Sequence, residues 1–168
     1  MLVLDVTGIK GANAGQLLIP MDDAQRDHLK AYGVAYWCIE KGLKVHWLLN
    51  YRGGSFLIQE SQDALRRSRM KGVIIQEVSD SGVIGIYDDI EKNNMNDILL
   101  EKAPKIAVYS PSFTQPWDDA VTLVLEYSDI PYDKIWDREV LTGQLSKYDW
   151  LHLHHEDFTG QYGKFYRS

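Results

Sequence analysis

The residues predict an α/β protein of three layers, a mainly parallel sheet with helices on both faces. Short apolar runs alternate with stretches whose apolar residues recur at helical spacing. Several of those runs are apolar almost without a break, as expected for strands buried on both sides. Caps and glycines punctuate the alternation where helices should begin and end. At 168 residues and 45% hydrophobic, the chain can form one sizeable core, since domains run to ~100–200 residues.

The elements follow in order. Gly8, Gly11 and Gly15 mark a flexible start that lacks the Gly-x-Gly-x-x-Gly spacing of a dinucleotide fingerprint. Residues 16–20 read as a buried strand, and Asp22 or Asp23 can cap a helix that runs to Lys41 with Leu29, Tyr32, Tyr36 and Ile39 as its apolar face. Gly42 supplies the left-handed residue that stops it. Residues 45–49 form a strand, residues 50–55 a turn-rich link, and residues 56–58 a further apolar segment before a helix over 60–71. Acids open that helix and Arg66, Arg67, Arg69 and Lys71 close it, which suits its dipole and reads as a solvated face. Gly72 ends it, and residues 73–75 look strand-like. The middle is read as a strand over 82–87 and a helix over 88–100. Residues 105–109 are a strand, and Pro116 starts a helix with Trp117, Val121, Val124 and Leu125 on one side. Strands over 132–136 and 150–154 flank a short helix or loop over 139–147.

Composition narrows the function. A net charge of −6 gives no diffuse positive field for a polyanion, so nucleic acid is not the expected partner. No apolar run reaches the ~20 residues of a membrane span, and the first six residues are too short and too acidic for a signal peptide. The expected setting is cytoplasmic, or periplasmic or exported where a leader has been removed. Cys38 is the single cysteine, so a disulfide framework and a thiolate zinc site are both excluded, and its place in a helical run points to packing.

Ligands of parallel sheets bind beyond the carboxyl ends of the strands, which directs attention to the loops there. Asn50, Tyr51, Arg52, Gly53, Gly54 and Ser55 combine paired glycines, for close backbone approach, with a guanidinium fork for carboxylate or phosphate. The same residues equally suit a tight turn with a surface arginine. They are not a P-loop, because the Gly-Lys-Ser/Thr ending is missing. Ser110 begins Ser-Pro-Ser-Phe-Thr-Gln-Pro, whose hydroxyls and amides could hold an anion or simply cap the next helix; Asp118 and Asp119 oppose the anion.

The densest group of reactive side chains is His152, His154, His155, Glu156 and Asp157. Imidazoles beside carboxylates suit a divalent metal or acid–base work, and alternation puts His152 and His154 on one face. The alternative is a packed strand histidine whose neighbours hydrogen-bond locally. No His-Glu-x-x-His pattern is present.

Segments at 19–22, 28–33, 47–56, 101–111, 115–121 and 148–165 together resemble a family of Bacteroidetes proteins called asparagine synthetase B. The resemblance covers nearly the whole chain. It implies a class I glutamine amidotransferase-like architecture, a flavodoxin-like sheet, with the chain as a single domain at the N-terminal portion of a longer protein. Asparagine synthetase chemistry itself is not supported by motifs: residue 2 is Leu2 and no Ser-Gly-Gly-x-Asp-Ser loop occurs. Cys38 is mid-helix, so a nucleophile elbow would lie elsewhere.

These readings predict a catalytically incomplete amidotransferase-like domain that binds a small polar or anionic ligand at strand carboxyl ends through Asn50 to Ser55 and Ser110. The alternatives are a metal-dependent hydrolase built on the His/Glu/Asp cluster and a non-catalytic interaction module. The covering partner would be the remainder of the same polypeptide or another subunit.

Overall fold

The computed structural model describes residues 15–111 and 113–153. Strands β1 (Gln16–Ile19), β2 (Val45–Leu49), β3 (Ser55–Gln59), β4 (Gln76–Val78) and β5 (Asn96–Leu100) form one sheet in the order β4-β1-β3-β2-β5. Every neighbouring pair in it is antiparallel. A second sheet holds β6 (Ile106–Tyr109), β7 (Tyr132–Ile135) and β8 (Trp150–Leu153), parallel and in the order β7-β6-β8.

The expected single, mainly parallel, flavodoxin-like sheet is therefore corrected. Only five residues separate β2 from β3, enough for a hairpin, whereas a parallel crossover needs a dozen or more. Strand composition concealed this. Helices α1 (His28–Glu40) and α2 (Gln62–Lys71) cover one face, where Leu17, Ile19, Val45, Phe56 and Ile58 meet Ala31, Val34, Cys38 and Leu65. Helix α3 (Asp80–Lys92) covers the other, where Ile86 and Ile90 meet Leu18, Leu48 and Leu57. Strands buried on both faces lose their alternation whichever way they run. The order β1-α1-β2-β3-α2-β4 interleaves two βαβ units, the split βαβ or ferredoxin-like arrangement, and α3 carries the chain across to add β5.

Local departures have local causes. Residues 82–87 are helical and 96–100 are a strand, the reverse of the expectation, because Ser79 caps α3 by accepting from Gly82 N and Ile86 and Ile90 share a helical face. Residues 73–75 are not a strand: the Gln25 amide takes Ile74's carbonyl and N–H, and pairing begins only at Gln76. Helix α1 starts at Asp27, whose carboxylate accepts from Lys30 N, rather than at Asp22 or Asp23. Its buried face is Ala31, Val34, Ala35 and Cys38, and Leu29 and Tyr32 are exposed. Small residues face the sheet because α1 packs against α2 as well. Gly42 and Gly72 do hold the left-handed stop positions. The basic end of α2 is not wholly solvated, since Arg67 and Lys71 both reach Asp129.

Around the second sheet, Pro116–Asp118 is a 3₁₀ turn, followed by α4 (Ala120–Tyr127). Leu125 of α4 packs on Ile106 and Val108, while Trp117 and Val124 face outward. Helix α5 (Asp137–Leu141) and a 3₁₀ turn (Gln144–Lys147) lead into β8. The two sheets are joined where α1 crosses α4. There Gly33 lies against Ser128, Tyr36 donates to Pro104 O at 2.8 Å, and Tyr36 packs on the core of the second sheet. Among the described residues no helix is long and apolar enough to cross a membrane.

Candidate functional site

The Asn50 to Ser55 loop is the β2–β3 hairpin turn. Asn50 and Arg52 adopt left-handed backbone, with φ 66° and 45°, as do Gly53 and Gly54. Gly53 is required: a Cβ there would stand 2.3 Å from Met21 O. The close approach lets Met21 N donate to Arg52 O at 3.1 Å. Arg52 turns its fork inward to the same strand end, with Nε 2.7 Å from Asp22 Oδ2, Nη2 3.3 Å from Oδ1 and Nη1 3.0 Å from Gln76 Oε1. The Arg52 hydrogen bond, helped by Ala24 N–H, holds the Asp22 carboxyl below the usual carboxylate range against the cost of burial. Trp47 Nε1 donates to Gly54 O at 3.0 Å, Ser55 Oγ donates to Arg52 O at 3.1 Å, and Tyr51 packs toward the α3 side of the sheet. An anion at Arg52 would have to compete with Asp22.

Ser110 lies elsewhere, at the carboxyl end of β6 in the second sheet. It is buried; its hydroxyl is hydrogen-bonded to that of Thr114, which donates to Pro111 O at 2.8 Å. Helix α4 measures the separation from the Arg52 loop. Its last turn, Tyr127 and the following Ser128, touches Asp27 and Gly33 of the first unit, while its first turn faces the carboxyl ends of β6 and β8. The two parts of the expected ligand site thus belong to different sheets.

The carboxyl ends of the parallel strands gather a different constellation. The chain passes from β6 to its neighbour β7, then back past β6 to β8 on the opposite side. Right-handed crossovers put α4 on one face and α5 on the other, and in parallel sheets such a reversal, here between the first and third strands, is the place where ligands bind. Side-chain contacts agree: Val108 packs with α4, and Tyr109, one residue on and on the other face, stacks on Trp136 at 4.5 Å and hydrogen-bonds Asp137 of α5.

His152 of β8 lies on the α4 face, in register with Val108. Its Nε2 is 3.1 Å from Asp119 Oδ1, and both side chains are largely buried, at 19% and 8% exposure. Asp119 is also the cap of α4: the same oxygen accepts from Val121 N at 2.8 Å and Thr122 N at 3.1 Å. Burial raises the carboxyl's pKa, but these two amides and His152 outweigh it, so Asp119 ionises below the usual range. Lys134, in register with Val108 on β7, is drawn to Thr114 O at 2.5 Å.

The metal expectation rests mainly on His154, His155, Glu156 and Asp157, which lie outside the described residues, as do Gly8 and Gly11. Of that cluster only His152 is described, and its Nε2 faces Asp119. Among the described residues no group of three or more His, Cys, Asp or Glu side chains could hold a metal ion. Cys38 is fully buried in α1 and desolvation pushes its thiol up to about 12, so it is no nucleophile.

Sequence reasoning missed Asp119 as the partner of His152 and Asp22 as the partner of Arg52. Asp119 directly precedes an apolar helical run, the pattern of an N-cap, and that signal was available. No protein-family model, curated protein or solved structure matches this chain.

Proposed function

We propose that the chain binds a small polar molecule in the crevice between the carboxyl ends of β6 and β8, with His152 as its hydrogen-bonding and proton-exchanging contact. The observation that carries this reading is the buried His152–Asp119 pair at the place where the strand order reverses. Asp118 and Asp119 stand at the start of α4 and Asp137 at the start of α5, so local charge favours a neutral or zwitterionic ligand over an anion. A carboxamide fits that requirement. Transfer chemistry is not assigned, because Cys38 is inert and remote from this crevice.

The test is a titration of the chain with L-glutamine, read by tryptophan fluorescence, with Trp136, which stacks on Tyr109 at the carboxyl end of β6, as reporter. A saturable change that weakens about tenfold in His152→Asn supports the reading, on the scale of one hydrogen bond to a charged or strongly polar group. No saturable change, or equal affinity in the variant, refutes it.

A further inference from the structure

Among the described residues, the α3 face of the first sheet is sealed only in part. Ile86 and Ile90 cover Leu18, Leu48 and Leu57, but toward the amino ends of β1 and β2 the same face becomes polar. Gln16 and Gln59 oppose each other across the β1–β3 pair, and His46 lies in register with Leu57 and Leu99. Here an open cleft of about 480 Å³ is lined by Gly15, Gln16, Lys44, His46, Gln59 and Glu60.

His46 is held for use. Its Nδ1 is 2.9 and 3.0 Å from the two oxygens of Asp97 on β5, and the Tyr87 hydroxyl of α3 lies near the same carboxylate; burial, together with that carboxylate, pushes the hydroxyl's pKa up to about 12. A carboxylate only accepts, so Nδ1 carries a proton, and in the neutral ring the lone pair is on Nε2. Among the described residues Nε2 has no hydrogen-bond partner. Lys44 and Glu60 line the same cleft, yet among the described residues neither forms an ion pair. A cation and an anion lining one cleft, without an ion-pair partner among the described residues, complement together with the oriented acceptor a ligand that carries both charges.

We propose that this cleft is a binding site for a small zwitterion of the amino-acid class, separate from the crevice at β6 and β8. The ligand's carboxylate lies toward Lys44 and its ammonium lies between Glu60 and His46 Nε2. Gln16 and Gln59 supply amide donors and acceptors for its remaining polar atoms. Asp97 and Tyr87 are positioning residues, since they act on the ligand only through the imidazole.

The probe is L-serine, with propionate and ethanolamine as its two halves, read through the His46 ring resonances of the full chain. The expected result is a saturable shift with L-serine and affinity about tenfold or more weaker for each half alone, because each half forfeits a charge-assisted contact. His46→Asn keeps a donor toward Asp97 but has no atom at Nε2; it should lose the binding, read through the neighbouring backbone amides, while those amides otherwise keep their positions. Lys44→Gln should weaken L-serine and ethanolamine unequally, with L-serine the more affected. A shift that does not saturate, equal affinity for the halves and the zwitterion, or unchanged binding in His46→Asn overturns the proposal. The His152→Asn variant should bind L-serine at this cleft as the parent does.

Discussion

Replacing Gly33 by alanine should separate the two units of the fold. A Cβ built at Gly33 would stand 1.8 Å from Ser128 O and 2.9 Å from Ser128 C, and both atoms are backbone. No rotamer change can relieve that overlap, so α1 and α4 must move apart by about 1.5 Å, enough to forfeit much of the dispersion attraction across the contact. Overpacking of this kind costs up to about 3 kcal/mol, and alanine's better helix propensity returns about 1 kcal/mol of it. The net loss is about 2 kcal/mol, which lowers Tm by roughly 4–8 °C at this chain length. Gly85 is the control: it lies in α3 and among the described residues a Cβ there meets nothing within 4 Å, so Gly85→Ala should stabilise by about 1 kcal/mol. Thermal and urea unfolding of both variants measure the difference. A Gly33→Ala variant as stable as the parent, with Gly85→Ala behaving as stated, would refute the close crossing of α1 and α4.

Three further substitutions probe other contacts. Ser68 is fully buried in α2 and among the described residues its hydroxyl has no hydrogen-bond partner, so Ser68→Ala should raise stability by about 1 kcal/mol in urea unfolding. At the hairpin, Arg52 holds left-handed backbone while its half-exposed ion pair with Asp22 contributes under about 1 kcal/mol. Arg52→Gly and Arg52→Ala lose the same ion pair, so glycine should be the more stable of the two by about 1 kcal/mol, and equality would contradict the backbone assignment. Asp119 has a folded pKa below its unfolded value of about 3.9, so its contribution is present above that pH and lost as pH falls through the folded value. Asp119→Asn keeps the cap but not the charge, and its stability should vary less between pH 5 and 2, as round values bracketing that titration, than the parent's.

The parts of the fold legible in the sequence are those decided within a few residues. Gly42 and Gly72 stop their helices as read, and the strands at 45–49 and 106–109 follow from their apolar runs. Strand direction is not legible in the apolar runs, whereas the five-residue link at Asn50 to Gly54 carries it: so short a link suits a hairpin and is too short for a parallel crossover. Residues 82–87 misled because a run of Val and Ile interrupted by glycine looks strand-like, and only the Ser79 cap and the shared face of Ile86 and Ile90 show a helix. The candidate site was half legible. His152 stood out by composition, but Asp119 is 33 residues away and Asp97 is 51 residues from His46, separations that only tertiary structure closes.

The two histidine–carboxylate pairs are wired through opposite ring nitrogens, and the difference decides which partner governs which. Asp97 holds His46 through Nδ1 and lies near the Tyr87 hydroxyl. Asp119 holds His152 through Nε2 with the oxygen that also takes the Val121 and Thr122 amides. Two backbone donors fix that oxygen as long as α4 is formed, so the helix positions the carboxylate and the carboxylate positions the imidazole. The order of dependence is testable by amide exchange. Asp119→Ala should expose the Val121 and Thr122 amides and cost about 1 kcal/mol, as loss of an N-cap does. His152→Asn should leave both amides protected, because the cap does not need the ring. If His152→Asn instead frees them as fully as Asp119→Ala, the imidazole supports the helix, and His152 is a structural strut rather than the contact for a ligand at the carboxyl ends of β6 and β8.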